Sequence, residues 1–130
     1  MSLNDTLSNV LSRIVSYEKH GKKEFVTKSN SKLVKQILSI LQDNNYIGSY
    51  EEIIDAKGNL LKIYLLGRIN DVGVIKPRFS VKRETYEKFE KRYLPAKDFG
   101  LLIISTNQGL MTHVDAKKKK IGGKLISYCY

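Results

Sequence analysis

The chain has 130 residues, 42% of them hydrophobic and 9% aromatic, enough to bury a core and to exclude wholesale disorder. Its 23 Lys+Arg outnumber 13 Asp+Glu for a net charge of +10, a balance that draws polyanions through phosphate contacts and counterion release. No apolar run approaches the ~20 residues of a membrane span, no secretory signal is read at Met1–Asp5, and one cysteine, Cys129, excludes an internal disulfide or a cysteine-based zinc cluster. A cytosolic protein is expected.

In chain order, Leu7, Val10, Leu11 and Ile14 recur at helical spacing, with Asn4 or Asp5 as N-cap. The Glu18–Lys23 stretch breaks that pattern, and Glu24–Lys28 reads as a short strand. Ser29-Asn30-Ser31 offers caps for a second helix with Val34, Ile37, Leu38 and Leu41 on one face, stopping near Asn44-Asn45. Ser49–Asp55 and Leu60–Leu66 flank Ala56-Lys57-Gly58-Asn59 as a hairpin. Gly67 to Gly73 is a polar connection that divides the chain. Beyond it Val74-Ile75 and Arg78–Val81 are β-like around Pro77, which demotes them to an edge or bulge. Glu84–Tyr93 is helical, with Tyr86, Phe89 and Tyr93 on one face and Pro95 ending it. Leu101–Ser105 is a strand. Thr112 and Asp115 frame a capping box for a short helix through Lys117–Lys120, stopped by Gly122-Gly123, and Lys124–Tyr130 is a last strand. The predicted fold is α+β in two small α/β lobes. Residues 1–66 read helix, strand, helix, strand, strand, with both helices on one face of the sheet, and residues 67–130 are mostly β with short helices.

Catalysis finds little support in these residues. No H-x-x-x-H or C-x-x-C spacing is present, Ser105 lies outside a G-x-S-x-G elbow, and the glycines match no phosphate-binding loop. His20 and His113 read as surface residues, and Cys129 as packing. The one enzymatic rival is an RNA-processing protein with His113 as base. A general polyanion or membrane-surface binder is the other.

Binding has better candidates. The charge excess is concentrated in residues 66–130, with 14 Lys+Arg against 6 Asp+Glu, while residues 1–65 carry 9 against 7. Within that half, Ile104 gives way to Ser105-Thr106-Asn107-Gln108-Gly109. Such side chains can meet ribose hydroxyls and base edges in the shallow minor groove of RNA, and Gly109 admits close backbone approach. The same run can equally close a turn and satisfy its own backbone. Lys117–Lys120 with Lys124 is either a solvated face or a phosphate patch. Lys76, Arg78, Lys82 and Arg83 add charge, and Ser31-Lys32 puts a cap and a cation at one helix start.

Ile104–Thr112, followed by Ala116-Lys117-Lys118 and Gly122–Ile126, resembles the signature of the universal small-subunit ribosomal protein family called S-eight. Asp5–Ile14, Ser31-Lys32-Leu33 and Tyr46-Ile47 resemble its amino-terminal helices, so the match spans essentially the whole chain. Leu66–Asn70 and Leu94–Gly100 resemble its archaeal and eukaryotic branch. Many members have Ser where this chain has Asn107, whose amide still donates and accepts. The resemblance implies two tightly joined α/β lobes that bind the central domain of small-subunit ribosomal RNA directly and early in assembly. It places Ser105, Thr106, Asn107, Gln108 and Gly109 in an RNA minor groove, with contacts at Gly122-Gly123 and Ser31-Lys32; Arg78, Lys117 and Lys120 are candidate phosphate contacts. The expected partners are that RNA and neighbouring ribosomal proteins, with no catalytic residue, cofactor, metal, membrane or small-molecule substrate, and a monomer outside the ribosome.

Overall fold

Residues 6–28, 31–55, 58–76, 78–96 and 99–130 are described by the computed structural model. They form four helices and eight strands in two sheets, an α+β fold. Two units, Met1–Asn70 and Asp71–Tyr130, divide the chain inside its polar glycine-bounded connection.

In the first unit, α1 (Thr6–Lys19) buries Leu7, Val10, Leu11 and Ile14, the stripe that its 3.6-residue period creates. Its proposed caps, Asn4 and Asp5, lie outside the described residues, as do Ser29 and Asn30. After β1 (Glu24–Thr27), α2 (Lys32–Asp43) begins at Ser31, whose hydroxyl accepts the Val34 N–H at 3.2 Å. It ends where Asn45 turns left-handed at φ 63° and the Tyr46 N–H reaches back to the Leu41 carbonyl at 2.9 Å, closing the carbonyls of the last turn. Val34, Ile37, Leu38 and Leu41 are all fully buried.

Two long strands follow, β2 (Ile47–Asp55) and β3 (Gly58–Leu65), and the sheet order is β1-β3-β2 with antiparallel pairing throughout. Phe25, Thr27, Leu61, Ile63 and Leu65 form its buried face, with Tyr17 of α1 stacked on Phe25 at 4.7 Å. Pairing continues to Asp55↔Gly58. The turn is therefore shorter than the expected 56–59, and Gly58 and Asn59 are strand residues; Ala56 and Lys57 lie outside the described residues.

In the second unit β8 (Gly123–Cys129) is the organising strand. One side of it pairs with β6 (Leu101–Thr106), which pairs in turn with β7 (Gly109–Thr112). The other side takes β4 (Val72–Val74) and then β5 (Ser80–Val81). These two form one interrupted edge, as a proline in the intervening segment requires; Pro77 itself lies outside the described residues. Helix α3 (Tyr86–Tyr93) buries Tyr86 and Phe89. It starts later than the expected Glu84 because the Thr85 hydroxyl is committed to a local turn, accepting the Lys82 N–H and donating to the Lys82 carbonyl. Helix α4 (His113–Lys119) returns over the sheet and buries Ala116. Tyr86, Phe89, Leu102, Ile104, Ala116 and Leu125 share this unit's core, and the Tyr86 hydroxyl donates to the Ile121 carbonyl at 2.8 Å. Strand β7 was missed in the sequence because its four residues were absorbed into the polar loop before them and the capping box after them.

One polar atom in this core stands alone. Ser127 is fully buried on β8, and among the described residues its hydroxyl has no hydrogen-bond partner. Removing an unpaired buried hydroxyl relieves a desolvation penalty. Ser127→Ala is expected to leave stability unchanged or raise it by about 1 kcal/mol in urea unfolding; a loss of that size would show that the hydroxyl is bonded.

Candidate nucleic-acid interface

The polar run closes a hairpin. Ser105 pairs with Leu110 and Thr106 with Gly109, so only Asn107 and Gln108 are turn residues and the expected five-residue loop is mostly strand. Thr106 builds the turn: its hydroxyl donates to the Gly109 carbonyl at 2.8 Å and accepts the Gln108 N–H at 3.1 Å. Gly109 sits at φ 106°, a conformation that strains any L side chain. The other three members behave differently. Ser105, Asn107 and Gln108 are exposed, and among the described residues none of their side chains has a hydrogen-bond partner. Turn chemistry thus accounts for Thr106 and Gly109 and leaves three polar groups facing solvent on a braced hairpin tip.

The two glycines expected to touch RNA have a packing role. A Cβ on Gly123 would stand 2.2 Å from the Ser105 carbonyl oxygen, and one on Gly122 2.3 Å from that of Val81. Only glycine lets β6 and β5 close on the start of β8. Lys124 follows at once, exposed, with Ser105 and Ser80 as its cross-strand neighbours.

Helix α4 is capped as its sequence predicts, the Thr112 hydroxyl accepting the Asp115 N–H at 3.3 Å. The expected stop at Gly122-Gly123 is replaced by Lys120, which takes the left-handed cap at φ 57° and closes its N–H onto Ala116 and Lys117 carbonyls. The lysine run is not uniform. The Lys117 ammonium is bound to Glu90 Oε2 of α3. Lys118, Lys119, Lys120 and Lys124 are exposed and have no carboxylate partner among the described residues.

His113 corrects the surface reading. It is 2% exposed, its Nδ1 accepts the Leu102 N–H at 3.0 Å, and its Nε2 lies 3.2 Å from Glu90 Oε1. Burial holds its pKa below the ordinary 6.5, against the opposing pull of Glu90. A ring with both nitrogens engaged inside the protein cannot serve an external substrate as base, which removes the enzymatic rival's one candidate. Glu90 escaped notice although it falls on the apolar stripe, four residues after Tyr86 and three before Tyr93; a carboxylate at such a position signals a buried partner. The Arg92 guanidinium was also overlooked. It lies 5.1 Å from the Phe79 ring centre and 5.7 Å from that of Tyr93, held flat by cation–π contact and free of carboxylates among the described residues. Arg78 is exposed between β4 and β5. Ser31 and Lys32 belong to the first unit, where Ser31 is spent as a helix cap.

A hairpin whose exposed amides and hydroxyl have no partner among the described residues, with the exposed Lys124 as cross-strand neighbour of Ser105, is an arrangement for a polyanion that also offers hydrogen-bonding edges. The family model of ribosomal protein S8 matches residues 5–130. The chain belongs to the ribosomal protein S8 family. Members are RNA-binding proteins of the small ribosomal subunit, structural rather than enzymatic. Among the described residues, no group of three or more His, Cys, Asp or Glu could hold a metal ion. No described helix is long and apolar enough to cross a membrane.

Two outcomes test this geometry. Gly123→Ala must separate β6 from β8 and is expected to cost on the order of 1–3 kcal/mol in chemical unfolding; an unchanged midpoint would contradict the close approach. Well above pH 6.5 His113 is neutral in folded and unfolded chains alike, and its contribution is complete. Below that value the unfolded chain takes up the proton first, so stability falls with falling pH until the folded pKa is passed. Wild type is expected to lose unfolding midpoint between about pH 7 and about pH 5 more steeply than His113→Asn; parallel curves would refute a buried neutral ring.

Proposed function

We propose that the chain binds the central domain of small-subunit ribosomal RNA directly and helps that domain assemble, acting as a monomer before it joins its neighbouring ribosomal proteins. The observation that carries this reading is the tip of the β6–β7 hairpin, where Ser105, Asn107 and Gln108 are exposed and, among the described residues, without partners, at the end of strands paired up to Thr106↔Gly109. Their donors and acceptors read 2′-hydroxyls and base edges in a minor groove wide enough to admit the hairpin. Lys120, Lys124, Lys118 and Lys119 neutralise the flanking phosphates and supply most of the affinity. The exposed Arg78 and Arg92 of the same unit and Lys32 of the first unit supply further phosphate contacts. Thr106, Gly109, Gly122 and Gly123 act by shaping the hairpin and its footing, and Lys117 by its bond to Glu90.

Specificity and affinity then separate by residue. With the isolated protein on total ribosomal RNA, chemical footprinting is expected to protect one site in the central domain. Lys120→Ala is expected to weaken binding to matched and mutated RNA alike and to lower the salt slope by about one. Gln108→Ala is expected to cut discrimination between the two RNAs by roughly tenfold, the scale of one lost base contact, with the slope unchanged. Equal effects of both changes on every RNA, or binding to heparin as tight as to structured RNA at matched salt, would overturn the reading.

A further inference from the structure

Strand pairing between β6 and β7 ends at Ile103↔Thr112, because at the next residue the chain turns into α4. The backbone of β6 would be left with an unmet N–H at Leu102. The His113 ring takes the missing strand's place, accepting that N–H on Nδ1 at 3.0 Å. An imidazole that accepts at Nδ1 carries its proton on Nε2, and Nε2 faces Glu90 Oε1 at 3.2 Å. The second oxygen of Glu90 binds the Lys117 ammonium. One ring therefore ties β6 to α3 at the point where the return strand of the hairpin becomes α4.

We infer that His113 is a positioning residue for RNA discrimination: its neutral ring sets the direction in which the hairpin tip and α4 leave the sheet. This rests on reading the tip as the discriminating element. The inference also gives binding a pH dependence. A doubly protonated ring has no acceptor at Nδ1, so it turns an N–H against the Leu102 N–H and leaves that donor buried and unmet. The charged groups facing the ring are Glu90 on α3 and Lys117 on α4, while β6 presents only backbone. Glu90 already holds the Lys117 cation, so it offers a second cation less than a lone carboxylate would. Protonation thus loosens the base of the hairpin instead of strengthening the pair.

Two substitutions separate the two nitrogens. His113→Asn puts an amide oxygen near the place of Nδ1 and carries no titratable group; His113→Ala removes both contacts. Affinities for a matched central-domain fragment and a base-substituted copy are measured for each form at about pH 7.5 and at successively lower pH down to the lowest at which the sample stays folded, with thermal unfolding to confirm a folded sample. Wild type is expected to lose about fivefold of its discrimination on acidification, the worth of one hydrogen bond. His113→Asn is expected to match wild type at the highest pH and to stay flat, and His113→Ala to show the reduced ratio at every pH. If His113→Ala does not fold, the flat profile of His113→Asn carries the test alone. An Asn form as acid-sensitive as wild type, or an Ala form that discriminates as wild type does at every pH, would overturn the inference and leave the RNA-binding reading standing. A wild type with no discrimination at the highest pH would overturn both.

Discussion

The carbonyl oxygen of Ser105 passes 2.2 Å from where a Cβ on residue 123 would stand, and the second unit is built around that closeness. It brings β6 onto β8 up to the last residues before the hairpin turn, so the tip is supported from its base by strand pairing on both sides of β6. A polar side chain on a loose loop loses conformational entropy when a ligand orders it. For Ser105, on a paired strand, much of that ordering has already happened. The Thr106 hydroxyl extends the same economy into the turn, where it occupies the backbone groups that Asn107 and Gln108 would otherwise have to satisfy. What is left over is offered outward.

Charge is sorted by the same structure. The lysines of α4 look equivalent as letters, yet Lys117 is joined to a carboxylate that is 9% exposed and also meets a buried imidazole. Breaking into such a cluster leaves an uncompensated group in a poorly solvated place, so Lys117 is a structural cation. Lys118, Lys119, Lys120 and Lys124 have water around them, and exposed ammonium groups give up little on meeting a phosphate. A single basic run therefore divides into one residue bound to a buried carboxylate and several left exposed to solvent. Arg92 is likewise exposed, with its guanidinium against the Phe79 and Tyr93 rings, contacts that restrict its rotamer freedom.

Helix periodicity made the first unit readable. Leu7 to Ile14 and Val34 to Leu41 each mark one buried face, and the Thr112–Asp115 pair marks the start of α4. Strand β7 was not legible, because Gly109–Thr112 has too few residues to show alternation and its polar neighbours belong to a turn. Nor could spacing tell a glycine that touches a ligand from one that touches a carbonyl; Gly122 and Gly123 are set by backbone atoms of β5 and β6, brought close only by the fold. The same holds for His113 and Glu90, which lie 23 positions apart and meet through tertiary packing. Ser105, Asn107 and Gln108 were legible as polar excess at the end of an apolar strand, and the structure added that Thr106 and Gly109 are not part of that excess.

The role of the hairpin tip is decided by where it lies when RNA is bound. Cys129 is fully buried, so Asn107→Cys provides a single reactive thiol for a tethered iron chelate. Radical cleavage of bound small-subunit RNA from that position should cut one short stretch of the central domain, and the same chelate on Lys120→Cys should cut its flanks. Scattered or absent cleavage from position 107, with strong local cleavage from position 120, would contradict the claim that the tip is what tells one RNA from another.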